Sequence, residues 1–186
     1  MQYKLIIFDA DGTLAERDTG ELLPGVRAYF REFARLGPEA RPQIAIATNQ
    51  GGVGMRHQME LGGWGEPAKY PTQEQVEKDY PQRIRNLLEE IPHRLYIAYA
   101  FQDRRGRWSP VPPGQEQNPR WGREWRKPSP GMLLQAMADA EVPPAETLMV
   151  GDREDDRLAA QRAGCHFQWA ADFFAPYAGQ GSAATT

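Results

Sequence analysis

Asp9 and Asp11 stand two residues apart at the end of an apolar run, in "IIFDADGTLAE" at 6 to 16. On a strand, side chains two residues apart face the same side, so the two carboxylates converge at the strand end. Crowding of like charge is unfavourable unless a cation shares it. A divalent metal meets that need, and Mg²⁺ favours hard oxygen ligands: a few carboxylates, waters and a substrate's phosphate. Gly12 allows the tight turn that follows. Three further stations carry matching chemistry. Thr48 and Asn49, closing "IAIATNQGG", offer a hydroxyl, a side-chain amide and loop N–H groups near Gly51 and Gly52, the donors needed around phosphate oxygens. Lys127 in "WRKPSPG" can bring a point charge to a phosphate or to a crowded carboxylate cluster. Asp152 in "VGDREDD" can complete a metal's carboxylate set. Singly, each has a plainer reading: a turn aspartate, an ordinary loop start, a solvated lysine, and Asp155-Asp156 as helix N-terminal acids favoured by the dipole. Together they fall at strand ends or helix entrances in the order carboxylates, hydroxyl, amine, carboxylate. That conjunction points to one site.

The elements that must position these residues are legible as alternating patterns. Apolar runs at 3–8, 43–48, 94–100 and 147–151 read as buried strands. Between the first two, "PGVRAYFREFARLG" places Val26, Phe30 and Phe33 at helical spacing, opened by Pro24-Gly25 and closed by Gly37. A second helix starts at Thr72, with Gln75 completing a capping box and Val76, Tyr80, Ile84, Leu87 and Ile91 forming one stripe, kinked or divided at Pro81. Ser129 is placed to cap a helix whose first residue is Pro130, and "DRLAAQRAG" after Asp155 supplies another. The order predicts an α/β fold: a single Rossmann-like domain over 1–175, a mostly parallel sheet with helices on both faces, and ligands at the carboxyl ends of the strands. Residues 49–71 and 101–126, rich in Gly and Pro, read as long loops at that edge, and 176–186 as a flexible tail.

The whole-chain balance narrows the partners. Lys and Arg total 22 against 25 Asp and Glu, a formal charge of −3, which gives no global pull towards nucleic acid or a membrane surface. A lone cysteine, Cys165, excludes an intramolecular disulfide and a multi-cysteine zinc site and suits a reducing compartment. No run of 18 apolar residues and no basic leader followed by an apolar stretch is present. The expectation is a monomeric cytoplasmic protein with no membrane association.

The four stations resemble the four motifs of the haloacid dehalogenase (HAD) superfamily of phosphohydrolases, from Asp9 to Asp156. "DADGTL" matches the DxDGT signature; "ATNQGGV" and "RKPSPGM" are similar to the branch containing histidinol-phosphate phosphatase, heptose-bisphosphate phosphatase and the phosphatase domain of polynucleotide kinase-phosphatase; "GDREDD" fits GDxxxD, pairing Asp152 with Asp156. The resemblance implies Mg²⁺-dependent hydrolysis of a phosphate monoester. Asp9 is then the nucleophile that becomes an aspartyl phosphate, and Asp11 protonates the leaving oxygen and later activates water. Asp9, the backbone carbonyl of Asp11 and Asp152 hold Mg²⁺, with Asp156 in support. Thr48 and Lys127 bind the transferring phosphoryl group, with Asn49 beside them in the phosphate station.

Two departures bear on the substrate. The heptose and histidinol phosphatases of that branch carry a Cys/His zinc-binding loop before the motif lysine, whereas residues 101–126 contain neither Cys nor His. This favours another phosphorylated small molecule, a sugar phosphate or nucleotide, with a nucleic-acid 3′ end in repair as the alternative. Residues 15–23 leave no room for a large cap domain, so the site is expected to be open, walled by 49–71 and 101–126. Arg104, Arg105, Arg107, Arg120, Arg123 and Arg126, interleaved with Trp108, Trp121 and Trp125, suit either a single-strand surface or an arginine-rich loop pinned by its tryptophans. Arg126 is the first candidate for gripping a second substrate anion and Arg56 the next, while His57, His93 and His166 read as structural. A non-enzymatic receiver domain also clusters aspartates, a Thr and a Lys, but its phosphorylated Asp follows on a later strand without DGT. No G-x-x-x-x-G-K-[ST] kinase motif is present.

Overall fold

A computed structural model describes residues 3–89 and 91–179. Strand β1 (Leu5–Phe8) lies at the centre of a five-stranded sheet of order β3-β2-β1-β4-β5, with β2 at Gln43–Asn49, β3 at His93–Ala98, β4 at Thr147–Gly151 and β5 at His166–Trp169. Every pairing is parallel, and Phe8 stands opposite both Ile46 and Val150. Alternation along the strands divides the core in two. Ile6, Phe8, Ile44, Ile46, Leu148 and Val150 share one cluster with helices α1 (Val26–Arg35), α3 (Gln73–Leu88) and α6 (Ala170–Ala178). Leu5, Ile7, Ala45, Ala47 and Met149 share the other with α4 (Gly131–Ala140) and α5 (Glu154–Ala163). This is the α/β layering that the alternation predicts, a parallel sheet buried on both faces. Among the described residues no large cap domain interrupts it, and no helix is long and apolar enough to cross a membrane.

The chain runs β1-β2-β3 to one side and returns for β4-β5 on the other, so direction reverses between β1 and β4. Open α/β sheets bind ligands outside the strand ends at such a switch point. Residues 9–24 stay close to it as a compact turn, tied by Gly12 N–H to Ala15 O and Leu23 N–H to Leu14 O, both near 3 Å.

Several local expectations need correction. Residues 49–71 are not one loop: α2 (Gly52–Gly62) occupies half of them. Its glycines hide the helix in the sequence, yet Gly54 is required, since a Cβ there would stand 2.5 Å from Tyr99 O. Helix α3 starts at the predicted capping box, with Gln75 N–H on Thr72 Oγ1 at 3.1 Å and Thr72 N–H on Gln75 Oε1 at 2.8 Å. It runs undivided through Pro81, held by Val76, Tyr80, Ile84 and Leu88 in the core. Ser129 makes no cap; α4 begins after Pro130 without a side-chain cap. Residues 176–178 continue α6 rather than starting a tail, because Phe173, Phe174 and Tyr177 pack on α1; residues 180–186 lie outside the described residues.

Candidate active site

Asp9 and Asp152 follow the two central neighbours β1 and β4, and the ladder continues past them, with Asp9 N–H donating to Val150 O at 2.9 Å. Two glycines provide room for carboxylates. A Cβ on Gly12, whose φ is +93°, would overlap Asp152 Oδ2, and a Cβ on Gly151 would overlap Asp156. Asp156 also completes the start of α5 by accepting the Arg153 N–H at 3.0 Å. Carboxylate oxygens of Asp9, Asp152 and Asp156 thereby lie within 4.8 Å of one another. Into this cluster reaches Lys127, only 1% exposed, donating to Asp9 Oδ1 at 2.7 Å, Asp156 Oδ1 at 2.6 Å and Ala47 O at 2.7 Å. All three ammonium protons are thus directed. Asn49 sets this position: its Oδ1 accepts the Lys127 N–H at 3.2 Å and its Nδ2 donates to Lys127 O at 2.9 Å. The amide expected to serve phosphate couples the end of β2 to the backbone of Lys127, and Asn49 also lines the cleft. Burial pushes the Asp9 carboxyl up to about 7; Lys127 pulls it back, and Asp156 and Asp152 raise it further. Burial acts to lower the Lys127 value, but the charges of Asp9 and Asp156 win and hold the ammonium above its ordinary value.

Asp11 stays outside the acidic cluster. Its Oδ2 accepts Gln50 Nε2 at 2.8 Å and the Tyr80 hydroxyl at 3.1 Å, and Arg83 Nη2 lies 2.9 Å from its Oδ1. Thr48 Oγ1, buried at the end of β2, is 3.2 Å from the Tyr80 hydroxyl and accepts Gln50 Nε2 at 3.1 Å. Burial, reinforced by the Asp11 charge, pushes the Tyr80 phenol far above its ordinary value and keeps it protonated. The sequence pattern marks Tyr80 as a core residue of an amphipathic stripe; Gln50 lies inside the quoted ATNQGGV stretch without a role assigned to it, and Arg83 carries no motif signal. Only the helical spacing of Tyr80 and Arg83, one turn apart, could have shown that they share a face.

Comparison with known proteins matches this arrangement to one group. Residues 124–171, from just before Lys127 through α5 and β5, match the HAD-hydrolase-like family model. The D-glycero-β-D-manno-heptose-1,7-bisphosphate 7-phosphatase of Haemophilus influenzae is 24% identical over 163 residues, covering 84% of this chain and 74% of that protein. The Haemophilus ducreyi protein of the same name is 51% identical over 39 residues, a match spanning only about a fifth, 21%, of either chain. Among solved structures, a Mesorhizobium loti protein described as a HAD-like phosphatase superposes with a TM-score of 0.59 at 21% identity, over 88% of this chain and 70% of that one. The D,D-heptose 1,7-bisphosphate phosphatase from B. bronchiseptica, solved with magnesium and phosphate, gives 0.51 at 24% identity, over 88% and 78%. The family match covers the C-terminal part of the site, and the wider matches are to phosphatases described as HAD-like or named for heptose bisphosphate, so the chain is similar to the haloacid dehalogenase superfamily of phosphohydrolases.

The site opens into a cleft of about 400 Å³ whose wall includes Arg17, Arg83, Arg126 and Arg153 beside Asp9, Asp11, Thr48 and Lys127. Arg126 lies against Gly51, its Nη1 buried and without a protein acceptor. Burial lowers its pKa, opposed by Asp155 and assisted by Arg153. A buried guanidinium without an acceptor is a place prepared for an anion. Arg56, the other sequence candidate, faces elsewhere: it pairs with Glu60 at 2.8 Å and donates to the carbonyls of Pro67 and Tyr70, stapling residues 63–71 to α2. The tryptophans of 101–126 are also engaged. Trp121 is buried and donates to Gln73 Oε1, Trp125 donates to Ile97 O inside the core, and Trp108 lies under Arg123. Arg107 and Arg120 pair with Asp103 and Glu77. That is the pinned-loop alternative. The three histidines contact Trp121, Ile91 O and Ala145 O, away from the cleft.

Proposed function

We propose that this chain is a Mg²⁺-dependent phosphatase that hydrolyses a phosphate monoester of a small molecule, a sugar phosphate or nucleotide, through an aspartyl phosphate on Asp9. The observation that carries the reading is the buried Lys127 ammonium bonded at once to Asp9 and Asp156, beside Asp152. Three carboxylates against one ammonium leave a formal charge of −2, and the donors are all hard oxygens, so the group suits a divalent cation of the Mg²⁺ type. Asp9, Asp152 and the backbone carbonyl of Asp11 would hold it, with Asp156 in support. When bound, Mg²⁺ supplies charge neutralisation at the phosphoryl oxygens.

The chain's own residues divide the remaining work. Lys127 takes only one oxygen of Asp9, leaving a carboxylate able to attack phosphorus. The lysine's charge and the Thr48 hydroxyl sit where the transferring phosphoryl oxygens collect negative charge, and holding those donors in place in advance lowers the barrier. Asp11, outside the cluster, gives a proton to the departing oxygen and then takes one from the water that opens the acyl phosphate. Arg126 offers its acceptor-free Nη1 to a second anionic group on the substrate, a feature in keeping with the bisphosphate named for the relatives. The inward-facing Trp121 and Trp125 favour a small ester over a stacked strand.

The test is phosphate release, with and without Mg²⁺, from heptose bisphosphates, other sugar phosphates, nucleotides and a 3′-phosphorylated oligonucleotide, with Asp9→Asn as the blank. The expected result is turnover of a small ester that needs Mg²⁺ and disappears in Asp9→Asn. Turnover undiminished in that variant removes Asp9 as the nucleophile, and preference for the oligonucleotide reverses the choice of substrate.

A further inference from the structure

We propose that Tyr80 and Arg83, one turn apart on α3, are positioning residues for Asp11, aiming its carboxyl group at the oxygen that leaves. The inference rests on the phosphatase reading above. Both oxygens of Asp11 meet a group from α3: Oδ2 accepts the Tyr80 hydroxyl at 3.1 Å, and Oδ1, which accepts no hydrogen bond, is ion-paired with Arg83 Nη2 at 2.9 Å. The clamp is itself braced. The Arg83 guanidinium lies over the Tyr80 ring at 5.5 Å and donates to Glu16 O at 3.3 Å, and Tyr80 packs in the core between Val76 and Ile84. No hydrogen bond or ion pair joins α3 to Asp9, Asp152, Asp156 or Lys127; its contacts with the proposed catalytic groups are those with Asp11 and the Tyr80 hydroxyl's bond to Thr48 Oγ1 at 3.2 Å.

The chemistry suits a group that must carry a proton in one step and lack it in the next. The Tyr80 hydroxyl, 3.1 Å from Asp11 and 3.2 Å from Thr48 Oγ1, can donate to the carboxylate, or turn to donate to Thr48 and accept from the acid. Either form of Asp11 therefore keeps a partner on Oδ2. Arg83 also stands at the junction of the catalytic cleft with a second, wider hollow of about 1090 Å³ between residues 17–23, α1 and α3. A leaving group has space there, on the side from which α3 grips Asp11. In the step concerned, the Asp9 oxygen forms its bond to phosphorus as the bond from phosphorus to the leaving oxygen breaks; that oxygen keeps the electron pair and takes the proton of Asp11.

A leaving group that is stable as an anion does not need that proton, and this separates a positioning role from a structural one. The experiment measures kcat/KM for p-nitrophenyl, phenyl and benzyl phosphates, which are similar in size but increasingly dependent on protonation. The ratio kcat/KM reports steps only up to release of the alcohol, so the later use of Asp11 as a base does not enter. In Arg83→Gln, benzyl phosphate should lose about tenfold to hundredfold, the scale of a misaimed catalytic group. p-Nitrophenyl phosphate should change by less than about threefold, phenyl phosphate should fall between, and Arg83→Lys should recover part of the benzyl rate. Tyr80→Phe should bend the series in the same sense. Equal losses on all three esters would make the pair merely structural and overturn the proposal, as would no loss on benzyl phosphate. Hydrolysis of none of the three by the unaltered protein would instead remove the phosphatase reading, and the clamp with it.

Discussion

Replacing Lys127 with Met tests whether the centre is held by charge rather than by packing. Methionine matches the length of lysine's stem and opens no large cavity, so the loss falls on electrostatics. The native ammonium is 1% exposed and serves Asp9, Asp156 and Ala47 O at 2.6 to 2.7 Å. Its removal leaves two buried carboxylates facing one another. Breaking a buried pair by removing one partner costs roughly 3–5 kcal/mol. For a domain of this size each kcal/mol lowers Tm by about 2–4 °C, so a fall of roughly 6–20 °C is expected. The sign of its pH dependence is fixed by Asp9, already raised from 3.8 to about 7 with Lys127 pulling it down. Without the lysine it rises further, so above the unfolded value the folded variant holds more protons than the unfolded chain. Stability then falls as pH rises through that window. Thermal melts in EDTA should therefore show a larger deficit at pH 8 than at pH 5.5. Adding Asp156→Asn to Lys127→Met should recover part of the loss at pH 8. A melt of Lys127→Met within 2 °C of the unaltered protein at pH 8, or equal deficits at the two pH values, would refute the account.

Two other outcomes follow from the same geometry. Gly12→Ala places a Cβ on Asp152 Oδ2 at a φ of +93°, so it should lower Tm and weaken Mg²⁺ binding at least tenfold in calorimetry, an effect a remote surface alanine would not reproduce. Because Asp9 titrates at about 7, Mg²⁺ must displace a proton below that pH; its stabilising shift in Tm should grow from pH 5.5 to pH 7.5 and then level, and a shift independent of pH would contradict the raised carboxyl.

What the sequence disclosed depended on whether a residue's role is local. Asp9, Asp152 and Lys127 sit directly beside apolar runs or a helix entrance, so spacing alone brings them to one sheet edge, and the structure gathers them there. Asn49 shares that edge, but its partner is the backbone of a residue 78 positions away, a relation no local pattern records. Arg83 was invisible for a different reason: on an amphipathic helix a polar residue beside the apolar stripe reads as solvent-facing, and only the close pass of α3 over Asp11 turns it inward. Helix α2 was hidden by glycines that serve close approach rather than turns. Strand β5, four residues at an edge with the polar Gln168 among them, lacks the apolar run that announced the other four. Composition left the arginines of 101–126 open between a strand-binding surface and a pinned loop, and only the tertiary contacts show Arg107 paired with Asp103 inside the loop, Arg123 over Trp108 and Arg120 paired with Glu77 on α3.

The aromatic face of the core has a consequence for the order in which this chain can mature during synthesis. Phe8 from β1 and Tyr29 from α1 meet Phe173 and Phe174 from α6, with ring centroids 5.0 to 6.0 Å apart. Translation delivers Phe8 and Tyr29 long before their partners. At about 5–20 residues per second, more than a hundred residues of delay leave that face uncovered for roughly 7–30 seconds on a growing chain. Over that interval β1 also waits for β4, its second neighbour in the sheet. Helix α6 therefore acts as the closing piece of the nascent domain, and the residues most exposed to misassembly before it arrives are those that later lie deepest beneath the catalytic edge.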